Sequence, residues 1–310
     1  MAEIFLEEVN RAAACPEATV HAAEEAYHAH IGSVAERIVA DRSVCVLLLA
    51  GPSGAGKTTT ANLLADALRV RRRECSVVSL DNFYREGTDP LYPLTPEGKR
   101  DAESADALNL AMVADCVGKI TRGEPFAVPR YDFRTASYVG EGYRFPPVGD
   151  GCVILEGLHA LNPRICGGLD TGRVLRMFVS VSTNINEGDR RILSGRKIRF
   201  VRRLVRDHLY RGASAKRTLE MWSDVLAGED KYLYPYRDTA DITFDTFHTF
   251  ELPVLKPYAE EVLGVEPLGD PYSAAVMDAL GRIQPMDISF VPEDSLIREF
   301  IPGGIYENLY

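Results

Sequence analysis

Eight residues constrain this chain more than any others: Gly51-Pro-Ser-Gly-Ala-Gly-Lys-Thr58. They follow the spacing G-x-x-x-x-G-K-[ST], which makes a loop whose successive backbone N–H groups turn inward around a phosphate chain. Glycines supply the positive φ and the missing Cβ that such a turn demands. The helix that follows adds its positive N-terminal end. Lys57 would reach the β- and γ-phosphates, and the Thr58 hydroxyl would hold Mg²⁺. The expected nucleotide contacts are Gly51, Ser53, Gly54, Ala55, Gly56, Lys57, Thr58 and Thr59. The flanks agree with this reading. Val44-Cys-Val-Leu-Leu-Leu-Ala50 is an unbroken apolar run, as a buried parallel strand should be. Downstream, Leu63, Leu64, Ala67 and Leu68 share one face of a helix. A chance glycine turn would not bring strand, loop and helix in this order, so a nucleoside triphosphate, with Mg²⁺, is the expected ligand.

Apolar residues make up 46% of the 310, enough for one large α/β domain with additions or for two small domains. The formal charge is −10, from 35 basic against 45 acidic residues. Such a chain is a poor non-specific binder of nucleic acid or anionic membrane, so a small-molecule acceptor is favoured over either. The six cysteines include no C-x-x-C pair, and Cys45 and Cys152 fall in expected core strands. Reduced, buried thiols in a cytoplasmic protein account for this usage. No apolar run approaches the roughly 20 residues that span a bilayer, and the N-terminus lacks the layout of a signal peptide.

In chain order, residues 1–43 read as an N-terminal helical extension, with Val20, Tyr27, Ile31, Val34 and Ile38 at helical spacing over about 18–40. His21, His28 and His30 on it read as solvated helix histidines, without acidic or cysteine partners at ligand spacing. Cys75–Leu80 is a second strand that delivers Asp81 to its carboxyl end, where ligands bind in doubly wound sheets. Asp81 there is either a base for an attacking hydroxyl or a turn cap. Residues 85–104 form a long polar loop, Ala105–Ile120 a helix, and Val128–Phe133 an extended segment with Tyr131 and Phe133 on one side. Gly151–Gly157 is a third buried strand ending in Glu156, an acid placed to support the metal. Val174–Val181 and Ala240–Asp245 complete five strands, with helices expected over 214–228, 250–265 and 273–283. Between the fourth and fifth strands lies a basic run from Arg190 to Arg211. It reads as an RNA or membrane patch, as a solvated helix face, or as a lid closing on the phosphoryl group in flight; the lid reading fits the phosphate loop. Ile288–Ile301 reads as a short strand and then a helical turn capped at Asp294 or Ser295, too apolar to float free. The expected fold is α/β of the P-loop NTPase kind, a parallel five-stranded sheet sandwiched by helices. The kinase domain spans 44–265 with an arginine-rich helical lid at about 188–213. Residues 266–310 form a C-terminal helix and tail that pack on the domain or on another subunit, which leaves a homo-oligomer open.

Five segments in register, Gly51–Thr59, Ser79–Tyr84, Pro129–Phe133, Ile154–His159 and Arg202–Gly212, resemble the uridine kinase family of P-loop kinases. The likeness runs from about 44 to 248, and Ala213–Trp222 and Lys231–Tyr236 resemble a bacterial branch of it. The resemblance implies transfer of the ATP γ-phosphoryl group to the 5′-hydroxyl of a pyrimidine ribonucleoside. It implies Asp81 as the general base, with Lys57, Arg206 and Arg211 catalytic. Tyr84, Tyr131 and Phe133 line the nucleoside pocket, Glu103 meets the ribose hydroxyls with Arg203 in support, and Thr58 and Glu156 serve the metal. Two positions depart from the family pattern: Ala136 stands where a base-contacting histidine is usual, and Ala213 where an arginine is. Losses of this kind can change a substrate, so the acceptor expected from the sequence is a nucleoside or another small hydroxylated molecule, such as a sugar, a phosphosugar or a pantothenate-like compound. A nucleotide-binding regulator without transfer activity is the reading from another class.

Overall fold

The computed structural model describes residues 2–169, 171–265 and 269–306. Ahead of the first core strand stand β1 (Glu3–Phe5), α1 (Leu6–Ala14) and α2 (Pro16–Ala40), with proline at the first helical position of α2. Next come β2 (Val46–Ala50), α3 (Lys57–Val70), β3 (Cys75–Ser79) and α4 (Leu110–Arg122). Two small hairpins follow, built from β4 (Phe126–Val128), β5 (Tyr131–Asp132), β6 (Ser137–Tyr138) and β7 (Tyr143–Phe145). After them the chain runs through β8 (Cys152–Glu156), α5 (Pro163–Cys166), β9 (Val174–Ser180), β10 (Asn184–Glu187), β11 (Arg190–Leu193), α6 (Gly195–Arg211), α7 (Ala215–Tyr232) and β12 (Ile242–Asp245). It closes with α8 (Glu251–Val265) and α9 (Pro271–Gly281).

The main sheet has the order β12-β9-β2-β8-β3, and every pairing in it is parallel. β2 lies at its centre and is buried along its whole length. Side chains alternate across a strand, so Leu47 and Leu49 enter one core and Val46, Leu48 and Ala50 the other. That is why β2 carries no polar position. The first core is filled from α1, α2, α3, α6, α8 and α9, and the second chiefly from α4 and the short helical turns beside it. The register sets Ser79 opposite Glu156, so β3 and β8 end level with one another beside the loop that leaves β2. β1 pairs in parallel with β10, tying the N-terminus to the hairpin that precedes α6.

Some expectations differ from the structure. Over Ala105–Ile120 the chain makes a short 3₁₀ turn at Ala105–Ala107, breaks, and restarts as α4 with the Asn109 side chain accepting from the Met112 N–H. Asn109 offers the backbone a cap, and the helix takes it. The strand expected at Ile288 is a 3₁₀ turn, Ile288–Phe290, capped by Asp287. The turn at Leu296–Glu299 is capped by Ser295, as its spacing implies. β1 was absent from the sequence reading, and α1, inside the helical extension expected over 1–43, had no bounds of its own. Of the α2 histidines, His21 is exposed, but His28 lies 3.8 Å from Glu24 and 3.5 Å from Asp294, and His30 stacks on Phe244 at 4.1 Å. Cys15 is exposed and the other five cysteines are buried thiols. Among the described residues, no helix is long and apolar enough to cross a membrane.

Candidate active site

β2 releases the chain at Gly51, and the loop closes through an Ala55 N–H to Pro52 carbonyl bond of 3.2 Å. Gly56 sits in the left-handed region, φ 80°, and starts α3. The loop is closely packed at its three glycines. A Cβ at Gly51 would collide with the Val179 carbonyl of β9, one at Gly54 would lie 3.0 Å from the Arg199 carbonyl, and one at Gly56 would lie 2.5 Å from the Leu296 side chain. Ser53 is held twice: its N–H donates to Glu229 at 3.0 Å, and its hydroxyl accepts from Arg203 at 2.9 Å. Lys57 Nζ donates to the Pro52 carbonyl at 3.2 Å.

Beside the loop, Thr58 Oγ1 donates to Glu156 Oε1 at 3.4 Å. Glu156 is only 2% exposed. Burial pushes its carboxyl up to about 7 from the usual 4.5, the Asp81 charge adds to this, and Lys57 opposes it. This donor set suits a small hard cation: a hydroxyl and a buried carboxylate, both oxygen, whose negative charge is only partly offset by protein. Thr58 and Glu156 are thus the pair that would hold Mg²⁺.

Asp81 stands exposed on a 3₁₀ turn, Leu80–Phe83, with its N–H donating to the Ser79 hydroxyl at 3.4 Å. Its charge reaches Glu156, Glu103, Tyr84 and Arg211. Beyond it lies an aromatic corner. Tyr84, Tyr131 and Phe133 meet with ring centroids 5.1–5.8 Å apart, and Phe133 is 53% exposed. Rings that pack together yet remain open to solvent on one side can receive a flat or apolar face of a ligand. Tyr84 is anchored to the Ala102 carbonyl at 3.0 Å and Tyr131 to the Arg85 carbonyl at 3.1 Å. Ala136 has φ 50°, and its carbonyl accepts from the Gly87 N–H at 2.7 Å, latching the β5–β6 hairpin to the long loop. Glu103 is half-buried and packs on Gly228 of α7. Burial pushes its carboxyl up to about 7, partly offset by Arg203.

The basic stretch begins as the exposed strand residues Arg190 and Arg191, and most of it is α6, capped by Ser194 and closed by Gly212 at φ 62°. α6 is sunk into the protein. Arg199 pairs with Glu229 at 2.7 Å and Arg202 with Glu251 at 2.6 Å, all four side chains fully buried. Arg203, Arg206 and Arg211 converge on Asp207 at 3.1, 3.0 and 3.5 Å. Arg211 alone of the three is substantially exposed, and the neighbouring Arg206 charge holds its guanidinium below the usual arginine range. Three residues around the site carried no signal in the sequence, Glu229, Glu251 and Glu299, and His159, which ends a segment of the family resemblance, was given no role there. His159 is buried with both ring nitrogens unpaired, and burial lowers it to about 4. Only spatial proximity reveals them.

Residues 46–253, more than half of the chain, match the model of the phosphoribulokinase / uridine kinase family. The chain belongs to this family. Its members are kinases that bind a nucleotide on a P-loop. Curated relatives are distant. Uridine kinase-like protein 5 of Arabidopsis thaliana is 28% identical over 200 residues, covering 64% of this chain and 38% of that protein. This chain therefore spans well under half of that relative's length. Uridine kinase of Lactobacillus helveticus (strain DPC 4571) is 25% identical over 198 residues, covering 64% and 84%. Among solved structures, a Silicibacter sp. TM1040 protein described as a fructose transport system kinase aligns with TM-score 0.50 at 18% identity, over 69% of this chain and 98% of that one. That likeness carries the fold: a five-stranded parallel sheet flanked by helices, with the phosphate loop at the carboxyl end of its central strand.

Proposed function

We propose that this chain is an ATP- and Mg²⁺-dependent kinase of a small hydroxylated molecule, with a nucleoside 5′-hydroxyl as the first candidate acceptor. One observation carries the reading: Asp81, Glu156, Thr58, Lys57 and Arg211 gather at the carboxyl ends of neighbouring parallel strands, within each other's electrostatic reach. Mg²⁺, when bound, would offset charge on the donor phosphates, with Thr58 and Glu156 as its protein ligands. The loop N–H groups and Lys57 orient the γ-phosphoryl group. Asp81 accepts the proton of the attacking hydroxyl, and Arg211, with Arg206 behind it, offsets charge gathering on the equatorial oxygens. Tyr84, Tyr131 and Phe133 take a ring or apolar face of the acceptor, while Glu103, oriented by Arg203, accepts from its hydroxyl groups.

The test is Asp81→Asn, assayed by acceptor-dependent ADP release. Loss of a general base should lower kcat by about 10²–10⁴ with little change in ATP binding. Near-normal turnover would remove Asp81 from the mechanism.

Ala136 and Ala213 support a second reading, in which the acceptor is a sugar, a phosphosugar or a pantothenate-like alcohol rather than a pyrimidine nucleoside. Neither side chain can hydrogen-bond a base. A panel of nucleosides, sugars and related alcohols separates the two, and tight ATP binding without any acceptor-dependent turnover would favour a regulator instead.

A further inference from the structure

The last turn of α7, Gly228 to Tyr232, has no part in the chemistry described above. Glycine is disfavoured inside a helix, so Gly228 calls for a reason, and the structure holds one. A Cβ at Gly228 would collide with Cβ and Cγ of Glu103. Glu103 therefore lies directly against the bare backbone of α7. Tyr232, four residues on and so on the same face of the helix, donates its hydroxyl to Asp101 Oδ2 at 2.9 Å. Asp101 and Glu103 flank Ala102, whose carbonyl accepts from Tyr84 of the aromatic corner at 3.0 Å. Asp101 Oδ1 also accepts from the Ser104 N–H at 3.1 Å, which closes the segment into a turn.

These contacts matter because little else holds the segment. Between Tyr84 and Ser104 the chain forms no helix and no strand beyond isolated bridges. Tyr232 is in turn backed by His159, just beyond β8, with ring centroids 6.3 Å apart and the rings edge to face. Glu229, the residue after Gly228, holds the Ser53 N–H of the phosphate loop and pairs with Arg199. One turn of α7 thus grips the donor loop through Glu229 and the Asp101–Glu103 segment through Gly228 and Tyr232. Held there, Glu103 lies within electrostatic reach of Asp81, Arg203 and Tyr84.

We propose that Gly228 and Tyr232 are positioning residues of the acceptor site: Gly228 leaves Glu103 room to lie against α7, Tyr232 pins Asp101, and together they set the Glu103 carboxylate where it meets the acceptor's hydroxyl groups. The proposal rests on the phosphotransferase reading above. In this role neither residue touches the acceptor, and each acts through Glu103. Loss of either lowers acceptor affinity while the donor loop and Asp81 keep their places.

The experiment is a double-mutant cycle on the full chain: Tyr232→Phe, Glu103→Gln and the two together, with Gly228→Ala as a second probe of the same seat. Acceptor-dependent ADP release is measured with Mg·ATP and uridine, D-ribose, ribulose 5-phosphate or pantothenate, and the cycle is run on each acceptor that the unaltered chain turns over. ATP affinity is measured by calorimetry in every protein. The expected result is an acceptor KM raised about three- to tenfold in Tyr232→Phe and at least as much in Glu103→Gln and Gly228→Ala, with kcat and ATP affinity held within about twofold. The double variant should be no worse than Glu103→Gln alone. An unchanged acceptor KM in Tyr232→Phe or Glu103→Gln, or effects of the two that multiply, would overturn the proposal, because the tyrosine would then not act through Glu103. A loss of ATP affinity matching the rise in acceptor KM would overturn it too, and leave α7 a general support. If the unaltered chain binds Mg·ATP and turns over none of the acceptors, the phosphotransferase reading falls and takes the positioning role with it.

Discussion

At Glu156 the chain holds a carboxylate where water cannot reach it, and a proton competes there with any cation. Its carboxyl is pushed up to about 7 by burial and by Asp81. Below that pH it carries a proton and cannot bind a metal, so Mg²⁺ dependence should steepen as pH falls from about 8 to 6. The apparent Mg²⁺ affinity should drop about tenfold per unit at the acid end. Titration of activity, or of Mn²⁺ binding by electron spin resonance, checks this, and Glu156→Gln should weaken metal binding and flatten the pH dependence together. Asp81 and Glu156 were legible in the sequence because each ends an apolar strand, and strand ends of a parallel sheet converge on the phosphate loop. Glu229 and Glu299 were not, because a lone acid inside a helix or turn has no spacing that distinguishes it from surface chemistry.

Among the elements, α6 is the one least legible in advance. Its basic run reads as a lid over the phosphoryl group or as a solvated helix face, and the structure buries Arg199, Arg202, Arg203 and Arg206 of this helix. Their partners explain it. Glu229 pairs with Arg199 across 30 residues of chain and Glu251 with Arg202 across 49, separations at which no sequence pattern links an arginine to its acid. Such pairs fix geometry more than they stabilise, whereas removing one partner strands a buried charge. Glu251→Gln should therefore destabilise the fold by about 3–5 kcal/mol in chemical denaturation, and the double replacement Arg202→Met with Glu251→Leu should recover most of that loss. The strands behaved oppositely. Val46–Ala50 and Cys152–Glu156 are buried on both faces, and continuous apolar runs announce such strands directly. α4 was misplaced at its start because Asn109 caps locally, a choice that periodicity does not report.

Across the whole molecule, the N-terminal helix α2 and the C-terminal tail meet over α3. Glu24 of α2 is buried, with His28 on its own helix and Asp294 and Ser295 on the tail as its polar neighbours. Burial, with the Asp294 charge added, raises its carboxyl to about 7 from 4.5. The folded protein therefore keeps a proton there that the unfolded chain releases between those values. The stability this proton confers is present below about 4.5 and lost as pH rises through 7. Thermal unfolding should show the melting temperature falling over that window, and Glu24→Gln should remove a slope on the order of 1–3 kcal/mol across it. The tail's apolar residues imply that it packs, but where it docks was not legible, because Glu299 meets Thr59 and Tyr306 meets Asp66 across 240 residues each. The same separation has a consequence during synthesis. At roughly 5–20 residues per second, a ribosome makes the turn at Leu296 about 12 to 48 seconds after the phosphate loop. For that interval the loop lacks the contact with Leu296 at Gly56 that it has in the finished fold.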